Sequence, residues 1–242
     1  MILTIDIGNT NIHIGLYHNK KMVVYKRWAT ENGIDKKNFR ALLDNKNIEG
    51  IGIASVVPVL SSQLILYLEK NLGMKPVVVC PTIKIPVKIA YRNMGADRIA
   101  NVVGGFMRYR NNLIIISFGT AITCDVVTKE AIHLGGVIIP GIKTQLWGLK
   151  QRTALLKNVQ LKPPIKILGK STNECICSGI INGTRFSIQG FIREIKKIIG
   201  SNYKIIATGG GGKKIIDYLS EIDSFDEDLT HYGILKLYYN NV

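Results

Sequence analysis

Met1-Ile2-Leu3-Thr4-Ile5-Asp6-Ile7-Gly8-Asn9-Thr10-Asn11-Ile12-His13-Ile14-Gly15-Leu16 opens the chain. Apolar residues fill the run up to Asp6, and a second largely apolar run starts at Ile12, interrupted by His13 and Gly15. The short polar segment between them is made of turn formers, glycine through its backbone freedom and asparagine through local side-chain hydrogen bonds. The pattern predicts strand, tight turn, strand, with the turn at the end of a buried strand. Glycine there lets the backbone come close to a ligand, and clustered N–H groups make an anion-binding concavity. Asn9 and Thr10 add side-chain donors, and Asp6 adds a carboxylate able to hold a cation on phosphate oxygens. The same residues also suit a plain hairpin. What favours the phosphate reading is recurrence: Ser117-Phe118-Gly119-Thr120-Ala121-Ile122-Thr123 again reads as strand end, glycine, hydroxyl, strand.

Outward from the first hairpin, residues 22–28 read as a third strand and 34–43 carry helical spacing. Residues 48–57 read as a buried strand ended by Pro58, and 61–72 as an amphipathic helix with Leu64, Leu68 and Leu72 on one face and Gly73 as its stop. A short strand over 77–79, an irregular passage to Tyr91 and a helix over 99–109 complete a β-β-β-α-β-α-β order. A second copy begins near residue 113. Strands are expected over 113–117, 122–127 and 133–137, helices over 143–156 and 172–199, a strand over 203–207 and a helix over 213–220. The expected fold is therefore α/β and duplicated, with halves 1–112 and 113–242.

The chain has 242 residues, 46% of them hydrophobic, enough for real cores and too apolar for disorder. No run of about eighteen apolar residues marks a transmembrane helix. The first residues lack a basic segment and are broken at Asp6, so no signal peptide is read and a cytoplasmic protein is expected. A formal net charge of +15 raises nucleic acid as a partner. However, the lysines are spread along the chain, and Ile and Asn are abundant as in an AT-rich genome's proteins, so compositional bias is favoured over a nucleic-acid surface; a basic cleft for an anionic substrate fits either way. The four cysteines (Cys80, Cys124, Cys175, Cys177) and four histidines (His13, His18, His133, His231) form no metal-ligand spacing.

Gly95-Ala96-Asp97-Arg98 stands where an irregular passage meets a helix. Asp97 reads either as a helix N-cap or as a general base beside an anion-binding arginine. Phosphoryl transfer to a hydroxyl needs a carboxylate to take the alcohol proton, and a guanidinium fork pairs with a substrate carboxylate. Thr208 precedes four successive glycines, a loop flat enough for a ring or ribose to lie on its backbone. It is no dinucleotide fingerprint, and no Gly-x-x-x-x-Gly-Lys-Ser/Thr motif is present. Gly135-Gly136-Val137-Ile138-Ile139-Pro140-Gly141 reads as a tight strand-to-helix link.

Taken in order, Asp6-Ile7-Gly8-Asn9-Thr10, Gly95-Ala96-Asp97-Arg98, Phe118-Gly119-Thr120-Ala121, 135–141, Thr172-Asn173-Glu174 with Ser178-Gly179, Thr208-Gly209-Gly210 and Asp228-Leu229-Thr230-His231-Tyr232-Gly233 resemble type III pantothenate kinases. The resemblance implies a duplicated actin-like (ribonuclease H-like) fold flanking a nucleotide cleft. It further implies a homodimer and ATP-dependent, Mg²⁺-assisted synthesis of 4′-phosphopantothenate for coenzyme A. Asp97 would be the catalytic base. Asp6, Ile7, Gly8, Asn9, Thr10, Asn11, Ile12, His13 and Thr120 would contact ATP, while Tyr91, Gly95, Ala96, Asp97, Arg98 and Thr172 would bind pantothenate. Two departures stand out. Ser117 occupies the place of an aspartate that the family associates with an activating K⁺ or NH₄⁺. The spacer Tyr91-Arg92-Asn93-Met94-Gly95 is also shorter than the family's. Two alternatives follow: a non-catalytic accessory regulator of the same family, like the Bvg accessory factor, or another phosphotransferase on this fold.

Overall fold

The computed structural model describes residues 1–153, 155–156, 158–163, 166–212 and 215–242. They divide into two compact units. The first contains Met1–Arg110, Val127–Gly135 and Asp228–Val242, and the second Asn111–Val126 and Gly136–Glu227. The change near residue 111 lies beside the expected start of a second half, but the last helix returns to the first unit.

In the first unit, β1 (Ile2–Ile7) is central in a sheet ordered β3-β2-β1-β4-β5, with β2 (Asn11–His18), β3 (Lys21–Ala29), β4 (Gly50–Ser55) and β5 (Val77–Val78). β1 pairs antiparallel with β2 and parallel with β4, which explains its nearly continuous apolar run. The β2–β3 connection is the two-residue turn Asn19-Lys20, both at positive φ (48° and 64°); such turns match strand twist. Along β1 the pleat sends Leu3, Ile5 and Ile7 into a core closed by Phe39 and Leu43 of α1 (Lys36–Leu43) and by Leu60, Leu64 and Leu68 of α2 (Pro58–Leu72). Each such buried side chain contributes about 1.5–3 kcal/mol. Asp35 caps α1 by accepting from Lys37 and Asn38 N–H, and Pro58 is not a strand stop alone, since it starts α2.

Ile2 and Thr4 point to the opposite face, which α6 (Leu229–Tyr239) covers. Two glycines in β4 make room for it: a Cβ at Gly50 would lie 1.9 Å from the Tyr238 hydroxyl, and one at Gly52 2.7 Å from Ile234 Cγ2. α3 (Ala96–Tyr109) packs on α6 so closely that a Cβ at Gly233 would fall 1.8 Å from the Ala100 carbonyl oxygen. Arg108 locks the pair, donating to both carboxylate oxygens of Asp228 (2.6 and 3.3 Å) and lying 4.0 Å from the Tyr232 ring centre. The helix read over 99–109 thus begins earlier, with Gly95 as N-cap and Asp97 inside the first turn.

The second unit repeats the order. β6 (Leu113–Phe118), β7 (Ala121–Val127), β8 (His133–Pro140), β9 (Lys204–Thr208) and β10 (Ser224–Phe225) lie as β8-β7-β6-β9-β10, which matches β3-β2-β1-β4-β5 strand for strand, although Val127 and the start of β8, as far as Gly135, belong to the first unit. α5 (Thr172–Ile199) covers the core through Ile188 and Ile192, and α4 (Ile142–Arg152) precedes it. The glycine-rich link 135–141 is strand as far as Pro140. Of the helix expected over 213–220, the described part is a single 3-10 turn at Ile216–Tyr218, and Lys213 and Lys214 lie outside the described residues. α6 and the two-residue β10 had no counterpart in the sequence reading.

Candidate active site

β1 and β4 are parallel, and Val56 N–H donates to the Ile7 carbonyl (3.0 Å), so their carboxyl ends stay together where ligands of such sheets bind. Asp6 sits there, opposite Ala54 on β4 and His13 on β2. The turn after it is closed by Gly8 N–H donating to the Asn11 carbonyl (2.9 Å) and pinned by the Thr30 hydroxyl on the Gly8 carbonyl (2.7 Å). Asn9 and Thr10 are exposed, whereas the side chains of Ile7 and Ile12 are fully in the core. A nucleotide can therefore meet those two only through main-chain groups.

Asp97 approaches Asp6 from the start of α3. Its Oδ1 accepts from Arg98 N–H (2.8 Å), and a Cβ at Gly95 would lie 2.7 Å from that oxygen. Gly95 thus leaves space for the carboxylate, and the N-cap role open to Asp97 in the sequence falls to Gly95 instead. Burial first, and the Asp97 charge second, push the Asp6 carboxyl up to about 7. Two carboxylates that resist sharing negative charge suit a bound divalent cation. Mg²⁺ takes one or two carboxylates and leaves its other positions to phosphates and water.

Arg98 is buried, and its guanidinium donates to the Tyr91 hydroxyl while lying 5.7 Å from the Tyr91 ring centre. The two residues that the resemblance gave to one substrate are therefore in contact, despite the short spacer. Tyr91 is held from behind by the buried His133, whose ring centre is 6.3 Å away and whose Nδ1 accepts from Ala90 N–H (3.5 Å). The bridge between Lys88 and Ile132 fixes this passage to the start of β8. His133 read as a scattered histidine in the sequence. No local pattern ties residue 133 to residue 91.

In the second unit, Ser117 is the penultimate residue of β6, opposite the buried Thr208 of β9. Thr120 is exposed, and its carbonyl accepts from Gly141 N–H (2.8 Å) and the Thr144 hydroxyl (2.6 Å). A Cβ at Gly141 would sit 2.3 Å from the Gly119 oxygen, so the link read over 135–141 ends by bracing the Gly119-Thr120 turn. Gly209, at φ 91°, and Gly211 lie on the Phe118 backbone, Gly211 N–H donating to its carbonyl at 3.0 Å. Thr172 is exposed on the first turn of α5, behind the N-cap Ser171. Asp125 on β7, 1% exposed, is an acidic residue the sequence reading passed over; its isolation in Thr123-Cys124-Asp125-Val126-Val127 was the available signal.

His13 and its neighbours were the least legible part. His13 Nδ1 is 2.5 Å from the Tyr25 hydroxyl, and Tyr25 meets the buried His231 edge-on at 5.8 Å. His231 Nδ1 lies 2.9 Å from the Thr4 hydroxyl, which donates to the Gly15 carbonyl (3.1 Å). Burial and then Arg27 hold His13 down at about 4, while burial and then His13 hold His231 down at about 3, so both are neutral near pH 7. Among the described residues no group of three or more His, Cys, Asp or Glu side chains could hold a metal ion.

A family model for type III pantothenate kinases matches residues 2–194. A type III pantothenate kinase of Bacillus cytotoxicus is 35% identical, across 100% of this chain and 97% of that protein. Among solved structures, a Campylobacter jejuni protein described as a candidate Baf family transcriptional activator superposes with a TM-score of 0.62 at 22% identity, covering 97% of this chain and 96% of that one. The Clostridium difficile activator of 2-hydroxyisocaproyl-CoA dehydratase, solved with ADPNP, superposes with a TM-score of 0.54 at 12% identity, over 99% and 93%. At such identities the two structures speak to the fold alone, and they agree with the duplicated α/β, actin-like architecture expected from the sequence.

Proposed function

The chain belongs to the type III pantothenate kinase family, and from that premise we propose how its residues share the work. The protein transfers the γ-phosphoryl group of ATP to the hydroxyl of pantothenate, giving 4′-phosphopantothenate for coenzyme A biosynthesis. Asp97 takes the hydroxyl proton as the alcohol oxygen bonds to the γ-phosphorus, and the bond to the β,γ-bridging oxygen breaks to release ADP. Arg98 and Tyr91, with Thr172, bind pantothenate, the guanidinium fork facing its carboxylate. Gly8, Asn9, Thr10, Asn11 and His13 contact ATP, as does Thr120, with main-chain groups of Ile7 and Ile12. Asp6 would hold Mg²⁺, which would supply positive charge to offset that of the phosphates. The observation that carries this assignment is the meeting of Asp6, Asp97 and the Arg98–Tyr91 pair at the carboxyl ends of β1 and β4. Intact Asp6, Asp97, Arg98 and Thr120 favour catalysis over the accessory-regulator alternative.

The Arg98 assignment is checked by Arg98→Lys. We expect the KM for pantothenate to rise tenfold or more while that for ATP changes less than twofold, because an ammonium cannot pair bidentately with a carboxylate. Equal effects on both substrates would assign Arg98 to the nucleotide or the fold.

Monovalent-cation dependence is proposed to be weak. Two unit charges at contact distance interact by about 4 kcal/mol at an effective dielectric of 20, before desolvation, and Ser117 offers no charge. In a coupled assay with ATP, Mg²⁺ and pantothenate, turnover should change little between zero and physiological K⁺. Ser117→Asp should introduce saturable K⁺ or NH₄⁺ activation. A wild-type enzyme that is silent without K⁺ refutes this, and one that is silent under all conditions refutes the kinase assignment. A homodimer in the cytoplasm completes the reading. The exposed Trp147 and Leu149 on α4 and Phe186 on α5 support association, and no helix among the described residues is long and apolar enough to cross a membrane.

A further inference from the structure

The register of the first sheet places Tyr25 of β3 opposite Gly15 of β2. With no side chain across from it, the phenol leans to the diagonal neighbour, His13, and its hydroxyl reaches Nδ1 at 2.5 Å. The space above Gly15 is taken by His231 from α6. A Cβ at Gly15 would lie 3.1 Å from His231 Nδ1 and 2.8 Å from the Thr4 hydroxyl. His231 is 3% exposed and backs the Tyr25 ring edge-on, so the phenol is fixed from one side by a buried ring.

The direction of the Tyr25–His13 bond follows from the two groups. A phenol is a stronger proton donor than a neutral imidazole N–H, and an imidazole nitrogen is a stronger acceptor than a phenol oxygen. Tyr25 therefore donates and Nδ1 accepts, which leaves the His13 proton on Nε2. His13 stands opposite Asp6 on the same face of the sheet, so this N–H is offered beside the first-unit site.

We propose that Tyr25 is a positioning residue for the nucleotide: by donating to Nδ1 it holds His13 as the Nε2–H tautomer, a neutral hydrogen-bond donor for a phosphate oxygen of ATP. This rests on the reading of His13 as an ATP contact.

Tyr25 is half exposed, so Tyr25→Phe removes one hydroxyl without opening the core. Long-range ¹H–¹⁵N spectra of the imidazoles should show wild-type His13 as Nε2–H alone and a tautomer mixture in Tyr25→Phe. Calorimetry with ADPNP and Mg²⁺ should show about 2–10-fold weaker binding in Tyr25→Phe, the range of one neutral hydrogen bond, with the KM for pantothenate unchanged. His13→Ala should weaken ADPNP at least as much, and adding Tyr25→Phe to it should cost nothing more. A wild-type His13 protonated on Nδ1, or a His13 spectrum unchanged in Tyr25→Phe, overturns the proposal whatever the binding data show. A His13→Ala protein that binds ADPNP normally, with the tautomer shift intact, overturns the ATP-contact reading instead and with it the purpose given to Tyr25.

Discussion

Asp97→Asn is expected to lower kcat by about 10²–10⁴-fold, the range of a general base, with the fold unchanged. The amide keeps an oxygen for the Arg98 N–H bond that Asp97 Oδ1 accepts at 2.8 Å. Removing a negative charge from the first turn of α3 costs about 0.3–1 kcal/mol of helix-dipole interaction. Relief of the repulsion with Asp6 offsets that loss. Stability should therefore stay within a few degrees of wild type while turnover collapses. Single-turnover measurements with ATP, Mg²⁺ and pantothenate would separate the chemical step from binding. A variant that keeps more than half the wild-type rate would show that the proton goes elsewhere.

Asp6→Asn should have the second large effect, and in opposite directions on activity and stability. The Asp6 carboxyl moves from 3.8 to about 7 on folding, chiefly through burial and then through Asp97. Between pH 4 and 7 the native state thus holds a proton that the unfolded chain has released. The resulting stabilisation is present below about pH 4 and is lost as pH rises through 7. Three pKa units bound the effect at about 4 kcal/mol, and partial solvent access to Asp6 reduces it to about 1–3 kcal/mol. Asparagine carries no such charge, so the variant should melt above wild type, by a margin that grows from pH 4 to pH 8. His13 and His231 act with the opposite sign, because the unfolded chain binds their protons below 6.5 and the native protein does not. Both are present in wild type and variant, so the difference isolates Asp6. ATP-dependent phosphorylation should be lost, since the carboxylate assigned to Mg²⁺ is gone. A melting difference independent of pH would mean that Asp6 is ionised without cost in the native protein.

Local chemistry made much of this molecule legible in its sequence. Apolar runs broken by Asp, Gly, Asn and Thr specify strand–turn–strand twice, because turn residues act over two to four positions and buried strands need unbroken apolar faces. The ordered motifs 6–10, 95–98 and 118–121, with those that follow them, pointed to the family and to Asp6, Asp97 and Arg98 by number. The end of α2 carried its own signal in Gly73, while the N-caps Asp35 of α1 and Ser171 of α5 emerged in the structure. By contrast, what lies on the far face of β1 depends on α6, a helix more than two hundred residues away whose apolar content shows no partner. Only the folded chain sets Gly50, Gly52 and Gly104 as the surfaces that α6 crosses and Gly233 as the point where α6 meets α3, and only it sets Gly15 as the seat of His231. A missing side chain reads in sequence as flexibility. Its meaning as room for a distant ring or backbone exists only once that group has arrived. The contacts of Tyr91 with Arg98 and of Tyr25 with His13 belong to the same class. Sheet register and helix packing create them, and neither is encoded within the few residues on either side.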